Sequence, residues 1–130
     1  MVEDNSGDVA LIRQSLQEHG VGLDVLVMTD GEKAVRFMDD VDAGIAPCPA
    51  LVILDLNLPK RSGLEVLQRI RESRPCGNVP VAVFSSSDAA KDKEEAASLG
   101  ANLYIRKPSN LDDFLRIGSV LKALLSEPRD

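Results

Sequence analysis

Leu51-Val52-Ile53-Leu54-Asp55-Leu56-Asn57-Leu58-Pro59 is an apolar run that ends on a carboxylate and breaks at a proline. Four consecutive apolar residues between turn formers read as a strand buried on both faces, as in parallel sheets covered by helices. Asp55 therefore stands at a strand tip. Other chemistry-bearing residues fall at comparable tips: Glu3-Asp4 after Met1-Val2, Ser85-Ser86-Ser87 after the stretch from Val79 to Phe84, and Lys107-Pro108 after Leu103 to Ile105. Open parallel sheets bind ligands in the crevice outside the carboxyl ends of their strands, so one crevice can collect all of these groups. Crowded carboxylates repel, and a hard, oxygen-seeking cation such as Mg²⁺ is the usual remedy. Lys107 adds a point charge suited to a phosphoryl oxygen.

Working outward from that strand, apolar runs alternate with segments of helical period, the pattern of a doubly wound α/β domain. Met1-Val2 reads as the tail of a strand lacking its beginning. Ser6 or Asp8 caps a first helix carrying Val9, Ile12 and Leu16, which stops near Gly20, and a strand near Asp24 to Met28 follows. Asp30-Gly31 opens a helix with Ala34, Val35, Phe37 and Met38, ended by the breaker-rich stretch from Gly44 to Pro49. Ser62 caps the next helix, with Glu65 placed as in a capping box and Leu64, Leu67 and Ile70 on its apolar face. After the loop from Pro75 to Pro80 come a strand from Val81 to Phe84, a polar helix opened by Asp88 and ended at Gly100, and a strand from Leu103 to Ile105. Ser109 or Asn110 caps a last helix reaching about Leu125, and Glu127 to Asp130 reads as a frayed tail. Five strands alternate with five helices.

At 130 residues, 44% hydrophobic and 28% charged, residues 1–130 fit a single ordinary globular domain with no room for a second, output domain. A net charge of −6 argues against a nucleic-acid surface, which needs clustered Lys and Arg. No apolar run approaches a membrane span and no signal segment opens the chain, so the expected location is the cytoplasm. Cys48 and Cys76, each just ahead of a strand, would approach only if those strands are neighbours; in a reducing compartment two free thiols are expected. His19, near a helix end, reads as a surface dipole partner with no catalytic role.

Taken in order, Val2-Glu3-Asp4-Asn5, Leu54-Asp55-Leu56-Asn57-Leu58-Pro59 with Ser62-Gly63, and Gly100-Ala101 followed by Lys107-Pro108 resemble the receiver domain of bacterial two-component response regulators over essentially the whole chain. The resemblance implies a flavodoxin-like doubly wound (βα)5 fold with parallel strand order 2-1-3-4-5. It implies Asp55 as phosphoacceptor, with Glu3, Asp4, Asp55 and the backbone carbonyl of Asn57 holding Mg²⁺. It further implies that Ser85 and Lys107 engage the phosphoryl group, that the Ser86 amide adds a donor, and that Ser85 and Tyr104 form the switch. The Lys107-Pro108 peptide is expected to be cis. More narrowly, Glu3-Asp4-Asn5 with Gly7-Asp8, the Asp55 to Pro59 segment and Gly100-Ala101-Asn102 look like the single-domain regulators paired with bacteriophytochrome-type histidine kinases. The implied partners are such a kinase and a downstream protein or phosphorelay component.

The family's central first strand normally has several apolar residues before the acidic pair, where this chain has Met1-Val2. An incomplete chain start, additional residues or a swapped partner strand would each fill that gap. An aspartate-based phosphatase or phosphotransferase would carry a second Asp two positions after the nucleophile, where Asn57 stands. A receiver-like interaction module independent of phosphorylation fits less well with retention of Asp55, Ser85 and Lys107. A flavin protein is disfavoured by 3% aromatics. The last helix offers Leu111, Phe114, Leu115, Ile117, Val120, Leu121, Leu124 and Leu125, either one wide core stripe or a core stripe plus a homodimer or partner surface.

Overall fold

Asn5, Asp30, Ser62 and Asn110 start four helices in the same way, each in extended backbone with its side-chain oxygen taking an amide three residues on. The computed structural model describes residues 1–127, so Pro128 to Asp130 of the expected tail lie outside it. Its elements are α1 (Ser6–Glu18), α2 (Gly31–Asp42), β1 (Val52–Leu54), α3 (Gly63–Glu72), β2 (Val81–Ser85), α4 (Ala90–Ser98), β3 (Leu103–Arg106) and α5 (Leu111–Leu125).

Strands β1, β2 and β3 form a parallel ladder in that order, with Val52 opposite Val81 and Val83 opposite Tyr104. Val2 bridges in parallel to both Met28 and Leu54, which sets the Met28 segment and Val2 beside β1 in the expected 2-1-3-4-5 order. The difference from five full strands is physical. Val2 supplies one paired position, too few for a ladder, and the backbone near Asp24 to Met28 consequently shows a single bridge rather than a strand.

Alternate strand residues feed opposite faces. Val52, Leu54 and Val81 pack with Ala34 and Met38 of α2 and Val66, Leu67 and Ile70 of α3. Ile53, Ala82 and Phe84 pack with Ile12 and Leu16 of α1 and with Phe114, Ile117, Leu121 and Leu124 of α5. The apolar face of α5 is thus mostly core, although Leu111 and Val120 remain exposed. Among the described residues no helix is long and apolar enough to cross a membrane.

Local differences have local causes. Asn5, not Ser6 or Asp8, caps α1. Asp88 does not open α4: its carboxylate pairs with Arg106 at 3.0 Å, and the helix starts at Ala90 after Ala89 with no side-chain cap. No peptide among the described residues is cis, so Lys107-Pro108 is trans.

Cys48 and Cys76 are joined in a disulfide, contrary to the expectation of two free thiols. The cause is the β1–β2 pairing: because those strands are neighbours in parallel, the connections running into them meet, with the two Cα atoms 5.5 Å apart. The bridge closes a loop with a sequence separation of 28. Loop-closure entropy then assigns it about 3.6 kcal/mol. Reduction, or Cys76→Ser, is expected to lower the urea unfolding free energy by about that amount; equal urea midpoints with and without reductant would contradict it.

Candidate functional site

Asp55 directly follows β1, and its amide donates to the Val2 carbonyl at 3.0 Å. Its side chain is buried: Oδ1 accepts from the Asn57 amide at 3.1 Å, and Oδ2 lies 3.4 Å from Lys107 Nζ. Glu3 is placed by its own amide, which donates to Met28 at 2.9 Å, so the single-residue pairing around Val2 suffices to bring both acids to one end of the sheet. Asp4 is exposed, yet Glu3, Asp4 and Asp55 each present an oxygen within 4.8 Å of the others'. Asn57 and Ser86 are exposed at the rim.

Ser85 ends β2 fully buried, and its hydroxyl accepts from the Ser87 amide at 3.2 Å. The Tyr104 hydroxyl donates to the Ser87 carbonyl at 2.8 Å, so both residues expected to switch are attached to the same short loop. Lys107 is set by its amide, which donates to the Ser85 carbonyl at 2.7 Å, and its ammonium passes over the Phe84 ring.

That ammonium reaches three carboxylates: Asp8 at 2.8 Å, Glu3 at 3.1 Å and Asp55 at 3.4 Å. Sequence reasoning gave Asp8 only a capping role. Asn5 takes over that role by accepting from the Asp8 amide, which leaves the Asp8 carboxylate to reach Lys107. The signal was a third acid one helical turn beyond Asp4. Burial works against the Lys107 charge, but hydrogen bonds to Asp8 and Glu3 and the charge of Asp55 outweigh it and hold the ammonium above its ordinary value.

Glu3 is the strained member. Its Oε1 accepts from the Asn5 amide and from Lys107, whereas the buried Oε2 has no hydrogen-bond partner and only the nearby lysine charge. Burial first, and the charge of Asp55 second, push the Glu3 carboxyl from 4.5 up to about 7 against the opposing pull of Lys107 and the Asn5 amide. An acid whose folded value exceeds its unfolded value binds more protons when folded, so ∂ΔG(unfolding)/∂pH is negative between those values. This contribution is present below about pH 4.5 and lost as pH climbs through about 7. Relative to Glu3→Gln, the metal-free protein is expected to lose about 3 kcal/mol across that window. Urea midpoints of the two proteins between acidic and neutral pH check this, and parallel curves would contradict it.

The family model for the response regulator receiver domain matches residues 1–117. Response regulator Rcp1 of Synechocystis sp. PCC 6803 is 31% identical over 118 residues, covering 90% of this chain and 80% of Rcp1. The crystal structure of its Mn²⁺-bound form matches at a TM-score of 0.86 and 29% identity, covering 98% of this chain and 94% of that one. The phosphorylated cyanobacterial phytochrome response regulator RcpA matches at a TM-score of 0.86 and 35% identity, covering 96% and 91%. The bacteriophytochrome response regulator RtBRR matches at 0.77 and 32%, covering 99% and 77%. A buried strand-tip aspartate facing a lysine from across the sheet is thus set in a fold, and a sequence, shared with response regulators, one of them, RcpA, seen in its phosphorylated form. The chain belongs to the response regulator receiver family and serves in phosphorylation-dependent two-component signalling.

Proposed function

We propose that Asp55 accepts a phosphoryl group from a histidine of a sensor kinase and that the modified site changes which protein the α4–β3–α5 face holds. The observation that carries this reading is the contact of Lys107 Nζ with Asp55 Oδ2 inside a crevice shared with Glu3. In the transfer, an Asp55 oxygen forms a bond to phosphorus as the phosphorus–nitrogen bond of phosphohistidine breaks and the imidazole keeps that electron pair. Lys107, already charged, then turns to the new phosphoryl oxygens. Ser85 donates its hydroxyl proton to them while its oxygen accepts from the Ser87 amide, so a shift of Ser85 toward the phosphoryl group is passed to Ser87, and Tyr104, tied to the Ser87 carbonyl, registers that loop movement. The exposed Ser86 amide supplies a further donor.

The residues fit a divalent cation, proposed here as Mg²⁺. Three carboxylate oxygens converge, and the buried Oε2 of Glu3, which accepts no hydrogen bond and has only the lysine charge beside it, is the kind of atom a hard cation satisfies. Glu3, Asp4, Asp55 and the Asn57 carbonyl would hold it. When bound it supplies neutralising charge for the phosphoryl oxygens. Rcp1, a relative, has a Mn²⁺-bound form. Likeness to RcpA and RtBRR favours a bacteriophytochrome-type kinase as donor.

Incubation with Mg²⁺ and acetyl phosphate, followed by intact-mass measurement, tests the reading. The expected result is one added phosphoryl group that appears only with the cation. A folded protein that gains no mass would overturn it in favour of an interaction module independent of phosphorylation.

A further inference from the structure

We infer that Asp8 is a positioning residue for Lys107, holding the ammonium so that Glu3 and Asp55 can turn to a cation. The inference rests on the metal-holding role proposed above for those two acids.

Lys107 Nζ is closer to Asp8 Oδ2, at 2.8 Å, than to Glu3 at 3.1 Å or Asp55 at 3.4 Å. Both side chains of the Asp8 pair are 16% exposed, so the contact is a charge-assisted hydrogen bond sheltered from most solvent screening. Each partner is fixed from behind. Asp8 sits in the first turn of α1 with its amide on the Asn5 cap, and Lys107 is pinned by its amide on Ser85 and by the Phe84 ring beneath its ammonium.

Among the described residues the carboxylates that converge closely enough to share a cation are Glu3, Asp4 and Asp55, and Asp8 is not one of them. Asp8 therefore holds the lysine without belonging to the group of oxygens that would share the cation. One ammonium divided among three acids must release two of them before a divalent ion can take their oxygens, because like charges at such distances repel strongly in a partly buried crevice. Asp8 makes that release cheap, since the ammonium keeps its shortest hydrogen bond while it lets go of the others. Without Asp8 the lysine has only Glu3 and Asp55 as anions, and metal and lysine compete directly.

The test is a double-mutant cycle on Mn²⁺ affinity, read by electron paramagnetic resonance on wild type, Asp8→Asn, Lys107→Ala and the double variant. If Asp8 acts through Lys107, Asp8→Asn weakens Mn²⁺ binding about tenfold when the lysine is present and less than about twofold when it is absent. Equal effects in the two backgrounds would mean that Asp8 contributes only its long-range charge, and no effect in either would mean it contributes nothing; both overturn the inference. Asp8→Glu keeps the charge and is expected to stay within about threefold of wild type, which separates loss of the anchor from damage to the helix start. A wild type that binds no Mn²⁺ would instead remove the metal site itself, an outcome distinct from a wild type that binds and an Asp8→Asn variant that binds equally well.

Discussion

Asp55→Asn is expected to gain no phosphoryl group from acetyl phosphate while remaining as stable as wild type or becoming more so. The chemical half follows from the nucleophile. A carboxylate oxygen offers a charged lone pair to phosphorus, whereas the amide that replaces it is neutral and delocalised, so the rate falls below detection, at least about 10³-fold. The stability half follows from the crevice. Asp55 accepts one hydrogen bond from the Asn57 amide, which the asparagine oxygen keeps. It also raises the Glu3 carboxyl by charge repulsion, which the substitution removes. Lys107 loses one of three anions and retains Asp8 and Glu3. Intact mass and urea midpoint, measured on the same preparation, check the two halves separately. Residual labelling near the wild-type level would move the acceptor to Glu3 or Asp4, the other acids of the crevice.

Much of this was legible because strand tips are marked in sequence: an apolar run followed by a chemistry-bearing residue placed Glu3, Asp55, Ser85 and Lys107 at one end of the sheet without knowledge of any contact. The capping oxygens of Asp30 and Ser62 were equally readable, since an N-cap is a property of four consecutive residues, while for the last helix the structure decides for Asn110 between the two candidates Ser109 and Asn110. What escaped depends on groups far apart in the chain. The Cys48–Cys76 bridge needs the β1–β2 register, which no local pattern states. The role of Asp8 depends on Asn5 winning the cap and on a lysine 99 positions away arriving within 2.8 Å. In the late start of α4, the Asp88 carboxylate faces Arg106 of the neighbouring strand β3 instead of capping the helix. The strand near Asp24 to Met28 was read from its composition, but pairing is a property of two segments, and Val2 offers it a single position.

The second large effect is expected from a residue with no polar side chain. Gly63, the first residue of α3, donates its amide to the Leu56 carbonyl at 2.9 Å and so ties the start of the helix to the turn after Asp55. A Cβ built on Gly63 would stand 2.2 Å from the Asp55 carbonyl oxygen, 2.6 Å from Leu56 Cα and 2.9 Å from the Asp55 carbonyl carbon. All three are backbone atoms of the segment that carries the phosphoacceptor, so none can swing aside as a side chain would. In an open helix Gly→Ala gains up to about 1 kcal/mol. Here overpacking reverses the sign, and Gly63→Ala is expected to lose about 3 kcal/mol in urea unfolding. Gly22 is the control: a Cβ there meets nothing within 4 Å, and Gly22→Ala should stay within about 0.5 kcal/mol of wild type. Relief of the clash must push the Asp55–Leu56 backbone away from α3, which strains the Asp55 amide's bond to Val2 and the alignment of the carboxylate with Lys107. Phosphorylation by acetyl phosphate should therefore slow in whatever fraction of Gly63→Ala stays folded, although every acid, hydroxyl and lysine of the site is intact. A stable, fully active Gly63→Ala would show that β1 can retreat freely from α3, and that the position of Asp55 is set by the sheet alone.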